Sequence, residues 1–236
     1  MCSNDMLAPI PSQELLDVAR IPIVAKDEPL VYISDTFGDR MLFQPMYYEQ
    51  GISGAIRKVY VRKTMADMLL AAAKLLPEGY KLKILDAWRP AAVQKALYEA
   101  YYCRLLHDPQ NQGKSQEEIQ KMASQFVSYP SEDPDRPFVH ATGGAVDLTI
   151  VDAQGEELNM GTAFDDFTDA AYTAHFENTG DCEIRDNRRL LYNTMCAAGF
   201  TNYPAEWWHY DFGDRFWAAA THQDSIYRGI YSLPEA

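Results

Sequence analysis

Basic residues are scarce in this 236-residue chain: 21 Lys and Arg stand against 34 Asp and Glu, for a formal net charge of −13. That balance makes nucleic acid a poor partner and a small or cationic substrate an easier one. No run of 18 apolar residues occurs, so no transmembrane segment is expected. The start, Met1 to Asp5, lacks a basic n-region and an apolar h-region, so no signal peptide is expected. Cysteine is also sparse. Cys2, Cys103, Cys182 and Cys196 are scattered, with no C-x-x-C pair, which reads as free thiols in a reducing compartment. A cytoplasmic protein is therefore expected. The alternative is a periplasmic or lipid-anchored protein in which Cys2 is a trimmed lipoprotein cysteine. Internal repeats and low-complexity tracts are absent too, so residues 1–236 are read as one domain.

What is there is apolar and aromatic: 47% hydrophobic residues, with 15 Tyr, 10 Phe and 4 Trp, enough for a packed core. Residues 1–30 read as a Pro-rich extended lead-in with a short helical piece near Ser12–Ala19. Leu30–Ile33 reads as a strand, and Ser34 to Gly38 as a turn. Thr64 is expected to cap a helix whose Met65, Met68, Leu69, Ala72 and Leu76 recur at helical spacing until Pro77 and Gly79. Lys81–Trp88 alternates like a half-buried strand and runs into Arg89-Pro90, where Pro suits the first turn of a helix reaching about Leu106. Val93, Leu97, Tyr101 and Leu105 would be its buried stripe. Residues 107–137 look inserted, with a capping box at Ser115-Gln-Glu-Glu118; they form either a lid over the site or a surface decoration. Asp186 would cap a later helix ended by Gly199, and Phe200–Phe212 reads as strand-loop-strand.

The chemistry concentrates in His140-Ala-Thr-Gly143-Gly144-Ala-Val-Asp147 and Glu206-Trp-Trp-His209. On one helix, His140 and Asp147 would stand two turns or about 10 Å apart, too far to share an ion at about 2.1 Å from each ligand atom. Gly143-Gly144 breaks regular structure between them, so His140 can end one strand and Asp147 lie on the next. With His209 they make three ligands and leave a fourth tetrahedral position for water, the pattern of a catalytic zinc. Glu206, beside the last ligand, is available to take a proton from that water. His107, His175 and His222 carry no such company and read as structural.

These motifs, H-x-x-G-x-A-x-D and E-x-W-H, resemble those of the zinc D-alanyl-D-alanine dipeptidases of the vancomycin-resistance type, within the Hedgehog/DD-peptidase superfamily. Asp86-Ala-Trp-Arg89-Pro90 and Met160-Gly-Thr-Ala-Phe-Asp165 are similar to further family stretches, as is Tyr32 to Gly38 more loosely. The resemblance implies an α+β single domain with a central antiparallel sheet flanked by helices. It also implies one Zn2+ per chain on His140, Asp147 and His209, with Glu206 as general base and acid and Arg89 steadying the oxyanion. Asp165 would pair with the ammonium of a free dipeptide. Two positions depart from the family pattern: Phe138 stands where a Ser is common, and Trp88 is the aromatic before Arg89. The rival activities are a D,D- or L,D-carboxypeptidase or endopeptidase on cell-wall peptides, and a non-catalytic zinc-stabilised binding module. Oligomeric state is left open.

Overall fold

The computed structural model describes residues 7–34 and 40–233; Cys2 and the end of the expected turn at 34–38 lie outside them. Strands β1 (Leu30–Tyr32) and β2 (Met41–Phe43) precede a single helical turn, α1 (Met46–Glu49). Then come β3 (Tyr60–Arg62), α2 (Lys63–Leu75), β4 (Lys81–Asp86) and α3 (Ala91–His107). Pro90 is the N-cap of α3, as its fixed φ favours. Helix α4 (Gln116–Phe126) opens with the expected capping box: Ser115 and Glu118 satisfy each other's backbone N–H. The second half holds β5 (Ala145–Val151), α5 (Cys182–Ala197), β6 (Thr201–Asn202), β7 (His209–Asp211) and α6 (Arg215–Thr221).

Five strands form the central sheet in the order β2-β4-β5-β7-β6. Pairing is antiparallel from β4 to β6, while the outer strand β2 runs parallel to β4. Strands β1 and β3 make a separate antiparallel pair. The architecture is thus the α+β arrangement the resemblance implied, with helices flanking the sheet and one parallel edge. Every residue of β5 is buried. Val146, Leu148 and Ile150 join Leu82 and Ile84 of β4 and Met65 and Leu69 of α2 in the main core. Asp147, on the opposite pleat, is thereby turned away from that core toward the site. A smaller cluster seats the 107–137 stretch: Tyr98 and Tyr101 of α3 pack against Ala123 and Val127.

Several local expectations are corrected. Residues 12–19 form no helix. This lead-in is held extended along α5 instead, with Gln13 donating to Tyr192 and Asn193 donating to the Ala8 carbonyl. Thr64 does not cap α2; Arg62 is the N-cap residue, and the Glu28 carboxylate accepts from the Thr64 N–H. Helix α5 is N-capped by Asp181, whose side chain accepts from Ile184 N, five residues before the expected Asp186. The buried stripe of α3 includes Gln94 and Tyr98, with Leu97 and Leu105 only half-buried. Cys103 and Cys196 are free, but Cys182 is disulfide-bonded, so the expectation of four free thiols fails there. Spacing along a chain does not reveal which distant cysteines meet.

Candidate active site

His140 does not end a strand. It sits in a 3-10 turn, Val139–Thr142, terminated by Gly143 at φ +71°. A Cβ on Gly143 would collide with Leu30 Cδ2, and one on Gly144 would collide with the Phe212 carbonyl. Gly143 therefore combines turn geometry with close packing, and Gly144 allows a close backbone approach. The turn drops the imidazole onto the end of β4, where Nδ1 donates to the Ala87 carbonyl at 2.8 Å. That leaves Nε2 facing Asp147 Oδ2 at 3.4 Å. A register shift in β4 between Ile84 and Asp86 sets Asp86 opposite Asp147, an example of a bulge re-aiming side chains beside a site.

His209 faces Asp147 from β7, which pairs directly with it in the sheet register. Its Nδ1 lies 2.9 Å from Asp147 Oδ1, and its Nε2 lies 2.7 Å from Asp211 Oδ1. The ligand atoms of His140, Asp147 and His209 all fall within 4.8 Å of one another, and all three residues are buried. Tetrahedral ligands at about 2.1 Å from zinc stand about 3.4 Å apart, so the donor set and its spacing fit that ion. Charge agrees. Burial and Arg89 push the His140 pKa well down, keeping a neutral imidazole. Burial opposes charge on His209, but Asp211 and Asp147 override it and raise its pKa well up. The same two carboxylates favour positive charge at this point, as they would a bound cation.

Glu206 lies in the turn before β7, with its Oε2 3.9 Å from His209 Nδ1. Asn202 braces this turn by donating to the Glu206 and His209 carbonyls at 3.0 and 2.9 Å. Burial, reinforced by Asp147 and Asp165 against the pull of His209, lifts the Glu206 carboxyl to about 8. Arg89, at the strand-to-helix junction, is 7% exposed. Its Nε donates to Asp86 at 2.8 Å, and its Nη1 donates to Gln94 at 2.7 Å. Nη2 makes longer contacts, 3.3 Å to Asp147 and 3.4 Å to the Tyr47 hydroxyl. Asp165 carries φ +61°, a left-handed conformation rare outside glycine, and accepts from the Tyr47 hydroxyl at 3.3 Å. Burial raises its pKa to about 7.

All six predicted site residues line one cavity of about 100 Å³. Ser124 to Ser128, from the 107–137 stretch, supply part of its wall, and Phe138 lines it too. Trp88 is not among the lining residues; its indole N–H donates to the Ile230 carbonyl behind the site. Sequence reasoning missed Tyr47, Gln94, Asn202 and Asp211. For Asp211 a signal existed: two residues from His209 on a strand, it must share that face.

Two buried arginines hold the surrounding loops, with no carboxylate of the described residues at hydrogen-bond distance from either. Arg188, 1% exposed, donates to the carbonyls of Met160, Ala170 and Tyr172 at 2.7–2.8 Å. Arg62, 4% exposed, donates to those of Glu28, Thr142 and Arg228.

Comparison with known proteins agrees with the resemblance. A D-alanyl-D-alanine dipeptidase of Synechocystis sp. is 29% identical over 216 residues, covering 84% of this chain and 87% of that one. The Escherichia coli D-alanyl-D-alanine dipeptidase is 30% identical over 149 residues, 61% of this chain and 64% of that one. The Enterococcus faecium enzyme of the same name is 28% identical over 158 residues, 64% and 71% of the two chains. A crystal structure of a mutant vancomycin-resistance D,D-pentapeptidase with Zn(II) covers 88% of this chain and 95% of its own, at 16% identity and a TM-score of 0.41. The family profile described as D-ala-D-ala dipeptidase matches residues 48–227, which span both metal motifs and Arg89, and the chain belongs to that family.

Proposed function

We infer that this protein hydrolyses D-Ala-D-Ala or similar small dipeptides with the help of one zinc ion. The observation that carries the reading is the convergence of a ligand triad, a buried carboxyl with a raised pKa, a guanidinium and a second carboxyl on one small cavity. His140, Asp147 and His209 would hold the metal. Zinc, when bound, supplies Lewis acidity and can lower the pKa of water to about 7.

The remaining steps belong to the chain's own side chains. A cation nearby favours the ionised form of Glu206, which then accepts a proton from the attacking water and returns it to the departing amine. Arg89 presents its loosely held Nη2 edge to the carbonyl oxygen as negative charge develops there, an interaction strongest in the transition state. Asp165 pairs with the free ammonium of the substrate. A buried carboxylate left without that partner penalises N-blocked peptides, which distinguishes this reading from a carboxypeptidase or endopeptidase. Residues 107–137 are read as an insertion within one domain, walling the site. For compartment, the disulfide at Cys182 favours an oxidising setting outside the cytoplasm, without bearing on a lipid anchor.

The test is amine release from a panel of D,D, L,D and L,L dipeptides, N-acetylated D-Ala-D-Ala and a longer peptide, with bound zinc quantified in parallel. Free dipeptides should be cleaved and the blocked or longer substrates spared. Glu206→Gln should keep zinc and lose at least about a hundredfold in kcat. Asp165→Asn should lose selectively on free dipeptides. A zinc-loaded, folded protein that cleaves nothing would leave the binding-module reading standing.

A further inference from the structure

Gln94 is 2% exposed and carries no role in the chemistry above. Its amide nevertheless spans two parts of the site. Oε1 accepts from Arg89 Nη1 at 2.7 Å, while Nε2 donates to the Ser128 carbonyl, also at 2.7 Å. The guanidinium offers only donors and the carbonyl only acceptors, so one orientation of the amide satisfies both and no other side chain of that size does. Asp86 and Gln94 make the two short bonds to the guanidinium, on Nε and Nη1. Together they fix its plane and leave the Nη2 edge, with its 3.3 and 3.4 Å contacts, to address a ligand.

The far end of that bridge is the cavity wall. Ser124 to Phe126 are the last residues of α4, with Val127 and Ser128 just beyond it, and this stretch is fastened a second time on the side of the Glu206 turn. There the Tyr203 hydroxyl donates to the Gln125 carbonyl at 2.9 Å, and the Gln125 side chain donates to the Tyr172 hydroxyl at 3.0 Å. We propose that Gln94 is a positioning residue: it aims the Arg89 guanidinium and ties that aim to the seat of the 124–128 wall. A wall out of place then carries the guanidinium out of line, and displacement of such a group by about 1 Å is enough to cost on the order of a hundredfold in rate.

The proposal rests on the role given to Arg89, and the test separates the two. Gln94→Met, Gln94→Glu, Arg89→Lys and both double variants are assayed for kcat and KM on D-Ala-D-Ala, with zinc content and circular dichroism as controls. Gln94→Met should lower kcat by about 10- to 100-fold while KM moves less than about threefold and zinc stays at one per chain. Gln94→Glu keeps a partner for Arg89 but turns an oxygen toward the Ser128 carbonyl. It should recover part of kcat and raise KM. In the Arg89→Lys background, either Gln94 substitution should cost no more than about twofold further, because the two residues act as one unit. Fully multiplicative losses would overturn the proposal, and Gln94→Glu alone decides the matter if Gln94→Met does not fold. An Arg89→Lys variant with unchanged kcat would instead remove the role of Arg89, and this proposal with it.

Discussion

Replacing Glu206 by Gln should stabilise the metal-free protein, increasingly as pH rises above about 4.5. The carboxyl is buried, 7% exposed, and is lifted from its ordinary 4.5 to about 8 by that burial and by Asp147 and Asp165. Such a displacement corresponds to about 5 kcal/mol, at roughly 1.4 kcal/mol per tenfold change in proton affinity. The sign follows from proton counting. Below pH 4.5 the folded and unfolded chains both hold the proton, and the residue contributes nothing to the pH dependence. Between 4.5 and 8 the unfolded chain has released it and the folded chain has not, so stability falls as pH rises. Above 8 the folded site carries a poorly solvated charge and the whole loss is present. Gln is neutral throughout and removes this slope. Urea denaturation of chelator-treated protein from pH 4.5 to 9 should show the two proteins equal at the acid end. The variant should be more stable by several kcal/mol at pH 9, with about 5 as the ceiling. Asp165, at about 7, and Asp86, at about 6, titrate in the same window; their own contributions cancel in the difference between variant and wild type, which reports Glu206 together with its coupling to Asp165. Added zinc should shrink that difference, since a cation favours the carboxylate. A difference that is flat with pH, or a variant less stable than wild type at pH 9, would refute the reasoning.

Two further outcomes follow from groups outside the ligand set. Asp211→Asn removes the charge behind His209 Nε2 and should weaken zinc binding by about 10- to 100-fold, measured by competition with a chromophoric chelator. Arg188→Met leaves the carbonyls of Met160, Ala170 and Tyr172 without their donor. At about 1–3 kcal/mol for each buried group left unpaired, the thermal midpoint should drop sharply, and an unchanged midpoint would show that water replaces the guanidinium.

The ligand triad and Glu206 were legible because their chemistry is local: two short motifs carry the residue types, and glycine marks the break between regular segments. Helix α2 and the capping box of α4 were legible for the same reason, each being decided within a few residues. Elements decided by distant partners were not. The expected helix at 12–19 loses to contacts with α5 nearly 180 residues away, and the cap of α2 comes from Glu28. His140 was expected on a strand because a Gly-Gly turn between strands is the commonest way to fold a chain back. A 3-10 turn does the same with the imidazole anchored on Ala87. Gln94 escaped notice because polar residues on helices usually face water, and only the guanidinium beside it explains its burial.

Among the described residues, the hydrogen bonds by which Arg62 and Arg188 hold the loops around the cavity all go to main-chain carbonyls. What they recognise is therefore a backbone path that any sequence able to follow it would present. Along residues 160–172 some side chains hold the loop as well: a Cβ on Gly161 would collide with Phe176, Thr162 accepts from the Trp207 indole, and Phe164 and Phe167 pack against the core. The freedom to vary is left to exposed positions such as Ala163, Thr168 and Asp169 on either side of Asp165. A redesign of substrate preference would start there, with the two arginines left untouched.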